Sequence, residues 1–299
     1  MPRLAAIAGV YEYPSRLVGA GTTMLQIKAE CAARALDDAG LAWSDVDAVY
    51  DAGEAGPGMG LLICEYLGVS PRVLDTTAVG GSSYEFHAAH AARDLVAGRA
   101  RVALLTYGST SRSQALPIGI GARHSSVSLP SSNMDGPYGL PLVGAYAMAA
   151  RRHMHEYGTT PEQLAEIAVT ARAHAIRNPD AMRALVDLGI KRTGELTVDA
   201  VVASPLIADP LHLLDCCLIT DGGGAVVIVA PELAADLRRP PVWILGTGEA
   251  YAARGNGTDL TTSAAAISGP AAFGQAGVRP HEIDVAMIYD SFTITVLLA

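Results

Sequence analysis

Residues 73–98 read VLDTTAVGGSSYEFHAAHAARDLVAG. An apolar, β-branched run at 73–79 predicts a buried strand. Gly80 and Gly81 permit a sharp turn that a side chain would obstruct. From Ser82 onward, alanines and a regular apolar stripe predict a helix that ends near Gly98. Strand, tight turn and helix N-terminus together make the geometry of a nucleophile site, because the free N–H groups and the helix dipole favour negative charge there. The turn carries no cysteine, so the residue that does occupy it decides which chemistry is open to the chain.

The surrounding sequence repeats this alternation. Short apolar runs at 4–10, 46–50, 102–107, 223–229 and 242–246 are interleaved with helical stretches at 24–39, 84–97, 141–157, 161–176 and 261–276, which predicts an α/β layered fold. The segment 109–138 differs. It is rich in Ser, Gly and Pro, lacks periodicity, and reads as a lid or binding loop. One internal repeat is visible: ALDDAGLAWSDVDAV at 35–49 and AFGQAGVRPHEIDVA at 272–286. Ala39-Gly40 matches Ala276-Gly277, Asp45 matches Glu282, Val46 matches Ile283, and Asp47 matches Asp284. Duplication explains this better than chance similarity of two helix–turn–strand units. It implies two similar halves, with the second starting near residue 238. Only about 60 residues remain for a half that should need about 230. The sequence is therefore expected to be a fragment, with any catalytic residue past Ala299 out of view.

Composition bounds the function. Half of the 299 residues are hydrophobic and 17% are charged, ample for a large core in one big domain or two fused halves. A net charge of −9 argues against nucleic acid and against an anionic membrane surface. No apolar run approaches the length of a membrane span, and the opening MPRLAAIAGVYEYPS reads as a first strand rather than a signal peptide. Four cysteines in a chain of this length make no disulfide framework, and Cys216-Cys217 are poorly placed to pair with each other. This points to a reducing, cytoplasmic setting. No CxxC or HExxH motif occurs. The pairs His87/His90 and His153/His155 read as surface or core histidines on helices rather than metal ligands.

Three places could carry chemistry. Gly80-Gly81-Ser82-Ser83-Tyr84 nearly matches the G-x-S-x-G elbow of hydrolases, but Tyr84 stands where the last glycine belongs. In the run 211–224, Asp221 precedes three glycines that allow close backbone approach by a ligand or by packing elements. Cys216 and Cys217 there read as buried small apolar residues rather than nucleophiles. Ile288-Tyr289-Asp290-Ser291-Phe292 follows an expected strand at 285–288 and opens a helix. Tyr289 and Asp290 fit a proton-transfer pair with Asp290 orienting the phenol. The competing reading makes Asp290 a plain N-cap and Tyr289 a packed ring.

These motifs in this order, together with the repeat, resemble the thiolase superfamily, above all the sterol-carrier-protein-type thiolases and the lipid-transfer-protein-type aldolases of steroid side-chain breakdown. ECAARALDDAGL matches the family's first long helix and DTTAVGGSSYEF the strand and helix of its nucleophilic cysteine. YAMAARRHMHEYG and the TPEQLAEIAVTARAHAIRNP that follows match the loop domain, PLHLLDCCLITDGGGAVVIV the stretch before the second half, and YDSF the fourth motif. The resemblance implies a layered αβαβα thiolase fold with two duplicated halves. Residues 1–237 would form the N-terminal half, with an inserted loop region at about 109–205. Residues 238–299 would begin an incomplete C-terminal half.

The departures carry the functional reading. The family's cysteine falls seventeen residues before the helix-ending glycine, and counting back from Gly98 (98 − 17 = 81) lands on Gly81. Ser82 lies beside it without an identified base, which leaves it a weak nucleophile. The fourth motif's usual Asn or His is Tyr289. The resemblance therefore implies a lyase that cleaves a β-hydroxyacyl-CoA, of a steroid or similarly bulky side chain, by a retro-aldol reaction. Tyr289 would be the acid/base and Asp290 its neighbour. Gly81 and Ser82 would supply backbone N–H groups, with Ser83, Tyr84, Cys217, Asp221 and Gly222 near the substrate. No metal and no cofactor beyond the CoA thioester substrate is expected. The alternatives are a thiolase-like acyltransferase and a non-catalytic acyl-CoA or lipid-binding subunit. A homodimer through residues 73–79 and a complex with a small OB-fold, zinc-ribbon protein are also implied. Arg123, Arg151, Arg152, Lys191 and Arg192 are all candidates for the CoA phosphates.

Overall fold

The computed structural model describes residues 3–53, 59–115, 142–252 and 259–299. They divide into two compact units. The first comprises Met1–Gln114, Thr220–Ala250 and Ile267–Asp284, the second Ala115–Ile219, Tyr251–Ala266 and Val285–Ala299. Most of the Ser/Gly/Pro-rich stretch 109–138, and Arg123 with it, lies outside the described residues.

The first unit is built on a six-stranded sheet. Its strands are β1 (Ala5–Glu12), β2 (Ala48–Asp51), β3 (Val73–Asp75), β4 (Val102–Ser109), β7 (Gly222–Val229) and β8 (Val242–Ile244). They run in the order β3-β2-β4-β7-β1-β8. β2 lies parallel to β3 and β4, whereas β4, β7, β1 and β8 pair antiparallel in turn. Alternation along the strands supplies both faces with apolar groups. Ala6, Ala8, Val49, Val102, Leu104, Ala225 and Val227 face helix α1 (Met24–Ala39) through Ile27, Cys31, Ala32, Ala35 and Leu36. Ala5, Ala48, Tyr50, Ala103, Leu105 and Ile228 pack with Ala91, Ala92 and Leu95 of helix α3 (Ser83–Val96). Helix α1 begins with a capping box: the Gln26 N–H donates to the Thr23 hydroxyl (3.2 Å) and the Thr23 N–H to the Gln26 side chain (2.8 Å). It ends where Gly40 turns left-handed at φ +74°. A short helix α2 (Met59–Leu67), not expected from the sequence, lies between β2 and β3.

The second unit is mainly helical. It contains α4 (Leu142–Tyr157), α5 (Pro161–Ala175), α6 (Pro179–Asp187), α7 (Val198–Val202), the paired strands β5 (Leu206–Ala208) and β6 (Leu211–His212), and α9 (Thr293–Leu297). Its core joins Ala147, Ala150, Leu164, Leu211, Phe292 and Ile294, with the Tyr146 and Phe292 rings 4.6 Å apart. Helix α8 (Ala265–Ala276) starts later than the expected 261.

The repeat seen in sequence recurs as contacts. A Cβ on Gly9 would fall 2.2 Å from the Ala35 carbonyl oxygen and 2.9 Å from the Ala39 Cβ. One on Gly246 would fall 2.4 Å from the Ala272 oxygen and 2.9 Å from the Ala276 Cβ. The offsets agree (246 − 9 = 272 − 35 = 276 − 39 = 237). At the same offset, the Val10 N–H donates to Asp38 (3.1 Å) and the Thr247 N–H to Gln275 (2.7 Å). Ala6 pairs with Trp243, its own counterpart (243 − 6 = 237), so β1 and β8 meet across a local twofold axis.

Two expected strands change. The run 73–79 stays in the sheet only through Asp75, because the Asp75 carboxylate accepts the Thr77 N–H (2.8 Å) and turns the backbone out of the ladder. Residues 285–288 form no strand. No described strand pairs with them, and Val285 and Met287 are 76% and 95% exposed.

The Gly9 contact gives a direct test. Gly9→Ala forces a methyl against the α1 backbone and should cost about 1–3 kcal/mol or more. The expected result is a lower urea midpoint at unchanged slope; an unshifted midpoint refutes the close packing.

Candidate active site

The glycine turn lies in the first unit. Gly80 adopts φ +87°, and Ser83 closes the turn. The Ser83 hydroxyl accepts the Val79 N–H (2.9 Å) and donates to the Gly80 carbonyl (2.6 Å). Ser83 is buried, and its hydroxyl shapes the turn. Gly81 and Ser82 are exposed, and their backbone N–H groups have no acceptor among the described residues. They sit at the N-terminus of the fourteen-residue α3, with Ser82 in the cap position. The Ser82 hydroxyl makes no capping bond. What the turn offers is therefore two free N–H donors in the field of a helix N-terminus, and no thiol.

The turn is fastened from behind by α3. His87 is fully buried and its Nε2 meets the Thr77 carbonyl (2.9 Å). That bond requires hydrogen on Nε2, and Nδ1 has no partner among the described residues. Burial lowers the His87 pKa, against the opposing effect of the Thr77 carbonyl. Tyr84 stacks edge-on to His87 (5.8 Å) and to Tyr107 (5.0 Å). One turn further on, His90 contacts Asp75 through Nδ1 (2.5 Å) and Glu249 through Nε2 (2.9 Å). The His87/His90 pair thus serves as side-chain anchors, and no described group of three or more His, Cys, Asp or Glu is arranged to hold a metal.

Asp221 and Gly222 also lie in the first unit, engaged in backbone contacts. Buried Asp221 accepts the N–H groups of Val18 (2.9 Å), Arg112 (2.9 Å) and Ser113 (3.1 Å). A carboxylate so filled holds two loops together. Gly222 takes φ +127° at the start of β7, with Ser15 and Arg16 packed over it, and Gly223 lies too close to the Tyr107 carbonyl for any Cβ (2.4 Å). The glycines serve backbone packing.

The second unit holds Tyr289, Asp290 and Cys217. The chain at 216–217 pairs with 291–292: Cys216 bridges Phe292, and the Cys217 N–H donates to the Ser291 carbonyl (3.1 Å). Tyr289 is 56% exposed, and its carbonyl accepts the Thr295 hydroxyl (3.1 Å). Helix α9 starts at Thr293 with Phe292 as its cap, which removes the reading of Asp290 as an N-cap. Behind them, buried Asp215 accepts the Thr293 hydroxyl (2.9 Å) and the His212 N–H (2.8 Å). Packing around the thiol and the Asp290 charge push the Cys217 pKa up. Burial raises Cys216 to about 11 and Cys31 to about 12. These are thiols, not thiolates, near neutral pH.

Sequence reasoning missed one buried cluster. Lys28 Nζ contacts Asp51 (2.7 Å), which also accepts the Thr106 hydroxyl (2.7 Å) and the Gly53 N–H (2.9 Å). The available signal was a lysine on the buried stripe of α1.

Known proteins agree with this geometry. Residues 246–299 match the thiolase C-terminal domain-like family. Over 317 aligned positions the chain is 31% identical to the steroid side-chain-cleaving aldolase of Thermomonospora curvata, covering 99% of this chain and 76% of that one. It is 29% identical to the 17-hydroxy-3-oxo-4-pregnene-20-carboxyl-CoA lyase of Mycobacterium tuberculosis, over 91% and 72% of the two chains. The solved Ltp2-ChsH2(DUF35) aldolase superimposes with a TM-score of 0.83 at 31% identity, covering 98% of this chain and 75% of that chain. A thiolase-type α/β fold and a glycine turn without a thiol define a thiolase-like protein. The chain belongs to the thiolase-like family that contains the steroid side-chain-cleaving aldolase.

The Asp75 carboxylate offers a test of the turn's electrostatics. Burial alone would raise its pKa, but bonds from His90 and Thr77 outweigh that and hold it below the ordinary value. Its stabilising contribution is full above about pH 4 and is lost as pH falls through the depressed value. Urea midpoints measured from about pH 5 down to 2 should fall less steeply in Asp75→Asn than in the parent.

Proposed function

We propose that this chain is a carbon–carbon lyase that cleaves a β-hydroxyacyl-CoA ester, with a steroid side chain as the bulky acyl group. The observation that carries the reading is the exposed Gly81–Ser82 turn, with two unbonded N–H groups at a helix N-terminus and no thiol. The similarity to the aldolase and the CoA lyase named above supports the reaction and the substrate class. The two-half organisation, 1–237 and 238–299, is supported by the contacts that recur 237 positions apart.

The reaction needs no covalent intermediate. A base removes the proton of the β-hydroxyl, the bond between the α and β carbons breaks, and its electron pair moves into the thioester as an enolate. The β carbon leaves as a ketone or aldehyde, and an acid returns a proton to the α carbon. The N–H groups of Gly81 and Ser82 would hold the thioester oxygen as charge develops on it, a contribution of about 3–4 kcal/mol per well-placed donor. Tyr289 is the proton-transfer residue, with the Asp290 carboxylate beside it to orient the phenol. The raised pKa of every cysteine named above disfavours acyl transfer through a thiolate.

Two measurements test this. Tyr289→Phe should lower retro-aldol turnover of a β-hydroxyacyl-CoA by about 10²–10⁴-fold, and a variant with full activity removes Tyr289 from the mechanism. The partner of the small OB-fold, zinc-ribbon class is proposed from the two-component name of the Ltp2-ChsH2(DUF35) structure. Co-expression with such a protein should give one co-eluting complex; separate elution argues against the partnership.

A further inference from the structure

Helix α3 holds the glycine turn by more than its own N-terminus. Asp75 is the last residue of β3, and one of its carboxylate oxygens accepts the Thr77 N–H (2.8 Å) while the other meets His90 Nδ1 (2.5 Å). The carbonyl of Thr77 in turn accepts from His87 Nε2 (2.9 Å). The stretch from Asp75 to Gly80 is thus tied to α3 at its start by two histidines. At its end it is tied by the Ser83 hydroxyl, which contacts both Val79 and Gly80.

The two histidines differ in their partners. His87 bonds a carbonyl through Nε2, and its Nδ1 has no partner among the described residues. His90 places a carboxylate oxygen on each ring nitrogen, Asp75 on one side and Glu249 on the other. One ring thus meets two acidic side chains from different parts of the chain. The far anchor is itself fixed, since Glu249 also pairs with Arg93 of α3 (2.9 Å). His90 therefore links the strand that leads into the turn, the helix that follows it and the segment after β8. The sequence shows only an i, i+3 histidine pair.

We propose that His90 is a positioning residue for the glycine turn. It acts through Asp75 and Thr77 to hold the Gly81 and Ser82 N–H groups at the angle that binds the developing oxyanion. This rests on the reading of those N–H groups given under Proposed function. A small misplacement of oxyanion donors lowers turnover far more than substrate affinity, because the donors matter most as charge develops.

Two readouts separate the claims. In His90→Ala, amide hydrogen exchange should rise at least tenfold at the hydrogen-bonded amides of Thr77, Val79 and Ser83 and stay unchanged in β4 and β7. The kcat should fall at least tenfold with KM within about twofold of the parent value. His90→Lys, which restores a hydrogen-bond donor on a long side chain, should recover part of both losses. Glu249→Gln, a milder change that keeps the volume, should shift both readouts in the same direction and serves if His90→Ala does not fold. Unchanged exchange at those three amides overturns the proposal, as does raised exchange with undiminished kcat. If the parent enzyme has no lyase activity, the lyase reading falls, and exchange alone decides whether His90 holds the turn.

Discussion

A methyl group on Gly9 would meet the Ala35 carbonyl of α1 at 2.2 Å, and one on Gly246 would meet the Ala272 carbonyl of α8 at 2.4 Å. Helix and strand approach there closer than any side chain allows, and much else in the first unit follows from that contact. It presses α1 flat on the sheet, so that the small residues Cys31, Ala32 and Ala35 fill the interface. With one face of the sheet covered so closely, the opposite face is free for α3, whose Ala91, Ala92 and Leu95 seat on Ala48, Ala103 and Leu105. The position of α3 then sets where its N-terminus presents the glycine turn.

The chemistry of that turn is defined by what its polar groups are already bonded to. Ser83 and Asp75 are consumed in shaping the backbone, while Gly81 and Ser82 keep their N–H groups open. A helix N-terminus with free donors stabilises developing negative charge whether or not a nucleophile is attached to it. A turn without a thiol therefore offers no thiolate for acyl transfer, while its open N–H groups suit a developing negative charge. The buried Lys28–Asp51 pair, whose side chains are 3% and 0% exposed, shows the same economy of the interior: a charge away from water is kept beside its opposite and given further hydrogen bonds.

Much of this was legible in the sequence. Helix α1 was expected at 24–39 and occupies those residues, because the Thr23–Gln26 box and Gly40 are local signals read within one turn of the chain. The turn at Gly80–Gly81 and the helix after it were legible for the same reason. The strand expected at 285–288 was not realised, since apolar alternation reports a willingness to pair but not whether a neighbour is present. Asp221 was equally ambiguous: an aspartate before glycines binds a ligand or a loop, and only the N–H groups of Val18, Arg112 and Ser113 around it decide.

By itself the sequence determined the alternation of strands and helices, the repeat, and the absence of a thiol at the turn. These depend on residue identity and on spacing along the chain. Tertiary structure decided which polar groups are occupied and which remain open. His90 finds its two carboxylates 15 and 159 residues away, and Asp221 gathers N–H groups from loops 203 and 109 residues away. Hydrogen-bond saturation is a property of neighbours in space, and neighbours at such separations are set only when the sheet and its two covering helices come together.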